Sequence, residues 1–411
     1  MIPLVTLLLD TDFYKFTMGQ VVFHRYPNIP VRYAFKNRTR SIHLADFIKE
    51  RELRSQLDYA RTLRFERSEL DYLRGIDNYG ARMFEEDYLE FLKNFRLPPY
   101  DLAIANGEYI LEFPGAWQDA IYWEVPALKI VNALYSQARM RALSRFEQEC
   151  VFATGKIRLK EKQTVLRARP DVKFSDFGTR RCFSGAWQDY ALVSMAQEVP
   201  RNLLGTSNVK LAKKHNLMPM GTSAHEMPMI LSGMFDDVSE NPMRLAQRTA
   251  LEDWWDEYGQ GLSIYLPDTW GTPFGLSLMT AKEANEWKGF RQDSGDPIQI
   301  GEIGIKFYES CGVDPTQKLI VFSDGLDINQ MCRVVDHFKG RIRCTFGWGT
   351  NLTNDLGFEP ISIVIKPIEA NGHPVVKLSD NIAKATGDPV EIERAKVFSG
   401  YAGGFCEQPK Y

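Results

Sequence analysis

Two Gly-Thr-Ser turns, at positions 205–207 and 221–223, hold the residues that most clearly suggest chemistry in this sequence. Each turn follows a short apolar segment, and a helix-like segment at 209–214 lies between them, which is the pattern of a parallel α/β unit. Glycine lets a ligand approach the backbone, and Thr and Ser hydroxyls near a helix N-terminus favour anions. The second turn leads into His225, which can act as a general base, a metal ligand or a phosphoryl acceptor, or can simply cap the turn.

Arginines and a glycine-rich turn follow other apolar segments. Arg180 and Arg291 stand at the ends of predicted strands, where a guanidinium can bind phosphate through paired N–H donors. Gly347-Trp-Gly-Thr350 is similar to the phosphate-binding loops late in a barrel, although a tight structural turn explains it equally well. Together with the two arginines, this turn points to a phosphorylated ligand.

Two pairs of carboxylates lie in the same series, Asp293-Ser-Gly-Asp296 and Asp324-Gly-Leu-Asp327. Oxygen ligands beside phosphates suit Mg²⁺, which keeps several waters and is carried mainly by substrate phosphates. Asp293 or Asp324 is therefore a candidate ligand. The alternative role of these carboxylates is to cap the helices that follow, and we expect one member of each pair to do only that.

Seven short apolar segments that end in small or polar residues must position these side chains. They begin at Phe174, Leu203, Leu217, Leu262, Gly289, Leu319 and Cys344. Helix-like segments separate most of them, for example at 329–338. The series predicts an α/β barrel, and barrel enzymes carry their chemistry at the carboxyl ends of the strands.

The earlier part of the chain predicts a separate α+β domain. Asp10 or Thr11 could cap its first helix. Antiparallel strands are predicted at 31–36, 102–104, 108–113 and 120–125, and helical segments at 44–95 and 127–150. Strand-like segments at 361–366 and 375–378 either close the barrel or return to the first domain. The predicted domains are therefore an N-terminal α+β domain with its connecting helix at 1–150, a barrel at 151–366 and a C-terminal segment at 367–411.

Composition narrows the class of protein. The 411 residues include 50 Lys and Arg against 53 Asp and Glu, and this balanced charge argues against a general nucleic-acid binder. The six cysteines are scattered without zinc, redox or disulfide spacing. No apolar run approaches the roughly 20 residues that span a bilayer, and the N-terminus lacks the basic residues of a signal peptide. We expect a cytoplasmic protein that binds no membrane.

Seven motifs together resemble the nicotinate phosphoribosyltransferase family. They are Asp10-Thr-Asp-Phe-Tyr-Lys15, Asp176-Phe-Gly-Thr-Arg-Arg181, Gly205-Thr-Ser-Asn208, Gly221-Thr-Ser-Ala-His-Glu226, Arg291-Gln-Asp-Ser-Gly-Asp-Pro297, Phe322-Ser-Asp324 and Phe346-Gly-Trp-Gly-Thr350. Their order and spacing match as far as Lys377-Leu-Ser-Asp380. The resemblance implies an irregular, incomplete TIM-like barrel and an α+β domain that the C-terminal segment completes. It also implies that nicotinate and 5-phosphoribosyl-1-pyrophosphate give nicotinate mononucleotide and pyrophosphate, with coupled ATP hydrolysis and Mg²⁺.

The resemblance also assigns roles to single residues. ATP would phosphorylate His225, Phe177 and Tyr14 would enclose the pyridine ring, Arg291 would meet its carboxylate, and Arg180 would bind phosphate. Tyr14 would come from the partner subunit of a homodimer with shared active sites. The remaining expected site residues are catalytic Asp268 and Asp293, and substrate-binding Thr206, Ser207, Asn208, Ser294, Asp324, Gly325, Gly347, Gly349, Thr350 and Asn351. Met227-Pro228 departs from the Trp that bacterial relatives usually carry, and its proline restrains the chain after His225.

Three alternatives remain open at this point. Nicotinamide phosphoribosyltransferases resemble this chain but carry Asp in place of Ser207, and a serine hydroxyl can donate to a carboxylate substrate. A phosphosugar aldolase on the same barrel would need a Schiff-base lysine, and no lysine ends a predicted strand between 174 and 350. A non-catalytic phosphate sensor would leave the density of His, Arg and Asp residues unexplained. These comparisons favour the nicotinate enzyme.

Overall fold

The structure is a computed structural model, and it describes residues 2–77, 79–403 and 405–407. Its strands, numbered along the chain, are β1 (Pro30–Asn37), β2 (Asp101–Ala105), β3 (Glu108–Ala116), β4 (Phe174–Asp176), β5 (Leu203–Thr206), β6 (Ile264–Tyr265), β7 (Gly289–Gln292), β8 (Leu319–Phe322), β9 (Arg343–Trp348), β10 (Ile363–Ala370) and β11 (His373–Pro374).

The α-helices are α1 (Phe13–Arg25), α2 (Leu44–Phe47), α3 (Glu50–Thr62), α4 (Arg67–Arg74), α5 (Glu86–Asn94), α6 (Trp117–Ala120), α7 (Glu124–Arg141), α8 (Arg145–Ala168), α9 (Gly185–Glu198), α10 (Val209–His215), α11 (Glu226–Met234), α12 (Pro242–Tyr258), α13 (Thr272–Ser277), α14 (Ala281–Glu286), α15 (Pro297–Ser310), α16 (Ile328–Phe338), α17 (Thr350–Thr353) and α18 (Pro389–Ser399). Short 3₁₀ helices lie at Ile121–Trp123, Thr179–Arg181, Pro315–Gln317 and Ile382–Lys384. Within the described ranges, no helix is both long and apolar enough to cross a bilayer.

A six-stranded parallel sheet carries the predicted strand series, in the order β5-β4-β9-β8-β7-β6. Six of the seven predicted strands are present, and parallel pairing brings their carboxyl ends to one edge of the sheet. The prediction of a strand at 217–220 is wrong. There, Pro219 forms a single isolated parallel bridge to Thr206. Proline lacks the N–H that a longer ladder needs, which explains the difference.

A second, antiparallel sheet has the order β11-β10-β1-β3-β2. The predicted hairpin of β2 and β3 is confirmed, and Asn106 and Gly107 at its turn have φ of 52° and 77°. β10 pairs with β1, so the C-terminal part of the chain returns to the N-terminal sheet and does not close the barrel. The predicted strand at 375–378 is reduced to one bridge, between Lys377 and Thr386. The predicted domain boundaries stay a prediction.

Two further predictions before residue 174 are wrong. Residues 120–125 form helical turns, and not a strand. Every side chain there is buried, so the sequence lacks the helical alternation of polar and apolar residues that would have indicated a helix. The helix predicted at 127–150 is two helices, α7 and α8. Ser144 begins α8 by accepting from the Glu147 N–H, and the Glu147 carboxylate accepts from the Ser144 N–H. This capping box was the overlooked signal.

The segment before α1 packs on the carboxyl end of β5 in the same chain. Phe13 N–H donates to the Ser207 carbonyl at 2.7 Å, and Val209 N–H donates to the Thr11 carbonyl at 3.0 Å. Asp12, and neither Asp10 nor Thr11, is the N-cap residue of α1. The N-terminal segment is thus placed directly beside the Gly-Thr-Ser turns.

Candidate active site

His225 precedes α11 and is 3% exposed. Its Nδ1 lies 3.0 Å from Thr269 Oγ1, and its Nε2 lies 3.1 Å from Asp293 Oδ2 and 3.5 Å from Asp268 Oδ1. Pro228 occupies the first turn of α11, where proline costs no helical hydrogen bond. The restraint after the histidine is therefore compatible with a regular helix that fixes its position.

Burial and then Lys377 lower the pKa of His225 to about 4, and they outweigh Asp268 and Asp293. The imidazole is therefore neutral at pH 7. Because the carboxylates face Nε2, the favoured tautomer carries its proton there and leaves a lone pair on Nδ1. That nitrogen accepts from the Thr269 hydroxyl. A neutral imidazole nitrogen that carries a lone pair is the form that acts as a nucleophile.

Arg291, at the end of β7, joins three loops. It donates to Thr222 Oγ1 at 3.0 Å, Ser323 Oγ at 2.9 Å and Asp293 Oδ1 at 2.5 Å. Its guanidinium carbon lies 5.8 Å from the centre of the Phe177 ring. The predicted partners Arg291 and Phe177 are therefore neighbours, and a cation beside an aromatic face can receive a flat anionic ring.

Lys377 reaches the same place from the C-terminal part of the chain. Its Nζ lies 3.8 Å from Asp293 Oδ2, and burial lowers its pKa to about 8. Burial would raise the pKa of Asp293, but Arg291, His225 and Lys377 outweigh it and hold that pKa well below its usual value. We refer to His225, Asp268, Arg291, Asp293 and Lys377 as the histidine cluster.

Asp268 has one oxygen in use and one available. Ser294 Oγ donates to Asp268 Oδ2 at 2.5 Å, while the buried Oδ1 accepts no hydrogen bond from the described residues. An unpaired buried carboxylate oxygen beside Asp293 fits a site for Mg²⁺, which prefers such ligands. Asp324, the other candidate ligand, forms an ion pair with Lys384. Asp268 and Asp293 lie close enough to share one ion together with His225, so these residues would fit Mg²⁺.

A second group of charges is centred on Glu124, the first residue of α7. Its carboxylate accepts from Tyr14 Oη and Lys15 Nζ at 2.8 Å each, from Arg180 Nη1 at 3.0 Å and from Lys366 Nζ at 3.3 Å. Lys15 also pairs with Glu226, at 2.8 Å. We refer to Lys15, Glu124, Arg180, Glu226 and Lys366 as the Glu124 cluster.

Tyr14 lies in the site of its own chain. Its backbone nitrogen is 3.1 Å from where a Cβ on Gly221 would stand, and its hydroxyl shares Glu124 with Arg180. The fold therefore brings this segment over the barrel of its own chain, whereas the resemblance implies that Tyr14 acts in the partner subunit. Pairing of residues 11–13 with 207–209 carries Tyr14 there.

The residues of the first Gly-Thr-Ser turn hold the N-terminal segment and the sheet. Ser207 Oγ donates to Asp12 Oδ1 at 2.7 Å, and Thr206 Oγ1 donates to Asp176 Oδ2 at 2.8 Å. Asn208 is the N-cap of α10, and its amide donates to an Asp10 oxygen at 2.8 Å. All three are buried, and their side chains are held by hydrogen bonds to Asp10, Asp12 and Asp176.

The predicted phosphate loop packs on Phe177. A Cβ on Gly347 would lie 2.3 Å from the Phe177 ring, so this position requires glycine for close approach. Gly349 precedes the short helix α17, which begins at Thr350, and Asn351 Nδ2 donates to the Leu326 carbonyl at 2.9 Å. Gly325, in the preceding loop, has φ of +57°. The loop therefore lies beside Phe177, and packing against that ring explains why position 347 is glycine.

A basic cavity of about 770 Å³ opens beside the 3₁₀ turn at Ile382–Lys384. Lys36, Arg38 and Arg40 line it, and Arg38 Nη2 donates to the Lys384 carbonyl at 2.9 Å. Three cations from the end of β1 thus continue the positive charge of the site outward. A cavity of this size and charge suits a polyphosphate.

Sequence reasoning missed several of these residues. Lys377 and Lys384 follow β10 and lie outside the predicted barrel strands. The argument against an aldolase considered lysines only at residues 174–350 and therefore did not include them. Glu124 was assigned to a strand. Glu124 follows a buried aromatic run, and nothing in that local sequence indicates a charged cluster. Lys377 could have been identified, because Lys377-Leu-Ser-Asp380 was part of the family resemblance.

The parallel sheet and the buried histidine among carboxylates and arginines define an α/β enzyme that acts on anionic ligands. Residues 172–400 match the nicotinate phosphoribosyltransferase (NAPRTase) family, and residues 9–132 match the NAPRTase N-terminal domain. The chain belongs to the nicotinate phosphoribosyltransferase family and is an enzyme of that class.

Solved structures agree with this assignment. The chain is 31% identical to nicotinate phosphoribosyltransferase from Porphyromonas gingivalis, with a TM-score of 0.85 over 97% of this chain and 100% of that one. It is also 31% identical to the enzyme from Vibrio cholerae, with a TM-score of 0.85 over 97% of this chain and 94% of that one. The fold is therefore shared along nearly the whole chain.

Proposed function

We propose that this enzyme makes nicotinate mononucleotide and pyrophosphate from nicotinate and 5-phosphoribosyl-1-pyrophosphate, and that ATP hydrolysis is coupled to this reaction through phosphorylation of His225. The observation that carries the proposal is the buried His225 between two carboxylates, one of which also accepts from Arg291. The neutral histidine supplies a nucleophile, and the cations around it attract phosphates and carboxylates.

The ring of nicotinate would lie between Tyr14 and Phe177, with its carboxylate on Arg291. Stacking fixes the plane of the ring, and the guanidinium fixes its direction. The pyridine nitrogen then attacks the anomeric carbon as the C–O bond to pyrophosphate breaks. That nitrogen is a weak nucleophile, so positioning and charge stabilisation must supply most of the acceleration. Arg180 and Lys377 are the cations we assign to the donor's phosphates.

Phosphorylation would begin with attack of His225 Nδ1 on the γ-phosphorus of ATP, with ADP as the leaving group. The Nε2 proton remains hydrogen-bonded to Asp293, which stabilises the positive charge that develops on the ring. Asp268 and Asp293 would hold Mg²⁺, which supplies neutralisation of phosphate charge when bound. The basic cavity lined by Lys36, Arg38 and Arg40 would attract the polyphosphate substrates to this side of the molecule.

We further propose that the parallel sheet and the Pro219 bridge form the wall of an incomplete TIM-like barrel. A cytoplasmic homodimer remains the expectation from the resemblance, as does the absence of nucleic-acid and membrane partners. Because Tyr14 contacts Glu124 and Gly221 of its own chain, we propose that each active site is complete within one subunit. This replaces the expected shared site.

The test is product formation by the purified chain with nicotinate or nicotinamide, each with and without ATP. We expect nicotinate mononucleotide, a higher rate with ATP, and little use of nicotinamide. Equal or better use of nicotinamide would contradict the preference for the acid. Release of pyrophosphate that ATP does not stimulate would contradict the coupling.

A further inference from the structure

Glu124 accepts from four side chains that belong to three other elements. Tyr14 and Lys15 come from α1, Arg180 comes from a 3₁₀ turn after β4, and Lys366 comes from β10. All four donate to one carboxylate that is 1% exposed, and Oε1 and Oε2 each accept two of the contacts. A buried carboxylate with every lone-pair direction in use is held in one geometry.

The Glu124 cluster also reaches the reactive histidine. Lys15 Nζ donates to Glu124 Oε2 and to both oxygens of Glu226 at 2.8 Å. Glu226 directly follows His225 and is 1% exposed. The cluster contains three cations and two carboxylates, so it keeps one net positive charge in the interior. That charge favours an anion at the exposed face of Arg180, which is where the donor's phosphate is proposed to bind.

We propose that Glu124 is a positioning residue that fixes Tyr14 for nicotinate and Arg180 for the phosphoribosyl donor, while Lys15 ties this arrangement to the chain segment that carries His225. The inference rests on the proposed function. Glu124 touches no substrate in this scheme, and it acts by holding the two side chains that do. One carboxylate thus sets the relative position of the binding groups for both substrates.

A matched set of variants separates positioning from general stability. Glu124→Gln keeps the shape but removes the charge, Tyr14→Phe removes only the hydroxyl that Glu124 accepts, and Asp253→Asn is the control. Asp253 is also a buried carboxylate that accepts from a tyrosine, Tyr26, at 2.5 Å, but it belongs to α12 and faces the C-terminal end of α1. Steady-state kinetics of the full chain with both substrates, with circular dichroism of each variant, provide the measurement.

We expect Glu124→Gln to raise KM for both nicotinate and the donor by about 10- to 100-fold, with kcat changed by less than about threefold. Tyr14→Phe should raise KM for nicotinate alone. The double variant should have the nicotinate KM of Glu124→Gln, because one neutral amide oxygen cannot serve the four donors and no longer holds the tyrosine hydroxyl in place. Asp253→Asn should change neither KM.

Unchanged KM values in folded Glu124→Gln, or equal changes in Asp253→Asn, would overturn the inference. So would additive effects in the double variant. If Glu124→Gln does not fold, Tyr14→Phe decides, and an unchanged nicotinate KM in that variant overturns the inference. A wild-type chain that does not use nicotinate would instead refute the proposed function, so the two failures are distinguishable.

Discussion

The histidine cluster and the Glu124 cluster are neighbours that contain the same kinds of charged groups but satisfy them differently. In the Glu124 cluster, both carboxylates are 1% exposed and both pair with Lys15. In the histidine cluster, Asp268 Oδ1 accepts no hydrogen bond from the part of the chain that the structure describes. A fully paired buried cluster fixes geometry, whereas an incompletely paired one keeps groups available for a ligand. We therefore assign a positioning role to the Glu124 cluster and the reactive role to the histidine cluster.

The largest effect should come from Asp293→Asn in the histidine cluster. Loss of this carboxylate removes the partner of His225 Nε2 and Arg291, and we expect kcat to fall by about 100- to 1000-fold. Asp296→Asn is the matched control, because Asp296 belongs to the same sequence motif but caps α15. The control keeps an oxygen that can accept from the first turn of the helix, so it should keep both its stability and its kcat. Equal kcat values in the two variants would contradict a reactive role for Asp293.

Ser207→Asp should have the next largest effect. The new carboxylate would stand beside Asp12, which now accepts from the Ser207 hydroxyl, and near the site of an anionic substrate. We expect kcat/KM for nicotinate to fall by about 10- to 100-fold, and Ser207→Ala to lose much less. Turnover of nicotinate and nicotinamide measured side by side provides the test. The hypothesis that Ser207 favours the acid fails if their ratio is the same in Ser207→Asp and wild type.

The lowered pKa of Lys377 predicts that kcat/KM for the donor falls at alkaline pH. Burial lowers its pKa to about 8, so its charge is lost as pH rises above that value in the free enzyme. We expect kcat/KM for the donor to fall about tenfold per pH unit above that pKa. Lys377→Arg remains charged and should not show this fall. Since the pKa of His225 is lowered to about 4, this residue should produce no acid limb above about pH 5.

The smallest effect concerns complementation between subunits. Mixtures of Tyr14→Ala and His225→Ala chains should show no more activity than the parents, because each chain then carries a defect in its own site. Heterodimer formation is checked with two affinity tags. Recovery toward half of the wild-type activity would show that Tyr14 works in the partner's site, as first expected from the sequence.

Much of the site was predictable because its residues belong to local motifs at strand ends. His225, Arg291, Asp293 and Phe177 are at the carboxyl edge of the parallel sheet, as the strand series predicts. The series of short apolar segments also predicted all six strands of the parallel sheet. One carboxylate of each pair was expected to cap a helix, and Asp296 and Asp327 do so.

The rest depends on long-range packing that no local pattern contains. Lys377 meets Asp293 only because β10 returns to β1 and redirects the chain that follows. Glu124 was misassigned because a helix with all faces buried has no polar stripe. The position of Tyr14 depends on backbone pairing of residues 11–13 with 207–209, whose partners are nearly 200 residues apart.

The most direct test of the account is the fate of the γ-phosphoryl group. The chain is incubated with γ-labelled ATP and Mg²⁺, and the labelled peptide is identified after quenching in base. We predict an acid-labile phosphoryl group on His225, present in Glu124→Gln and in the control His215→Ala, and absent from His225→Ala. ³¹P NMR should place it on Nδ1. Label on another residue, or ATP-coupled synthesis in His225→Ala, would contradict the central claim that the incompletely paired histidine cluster is the reactive one.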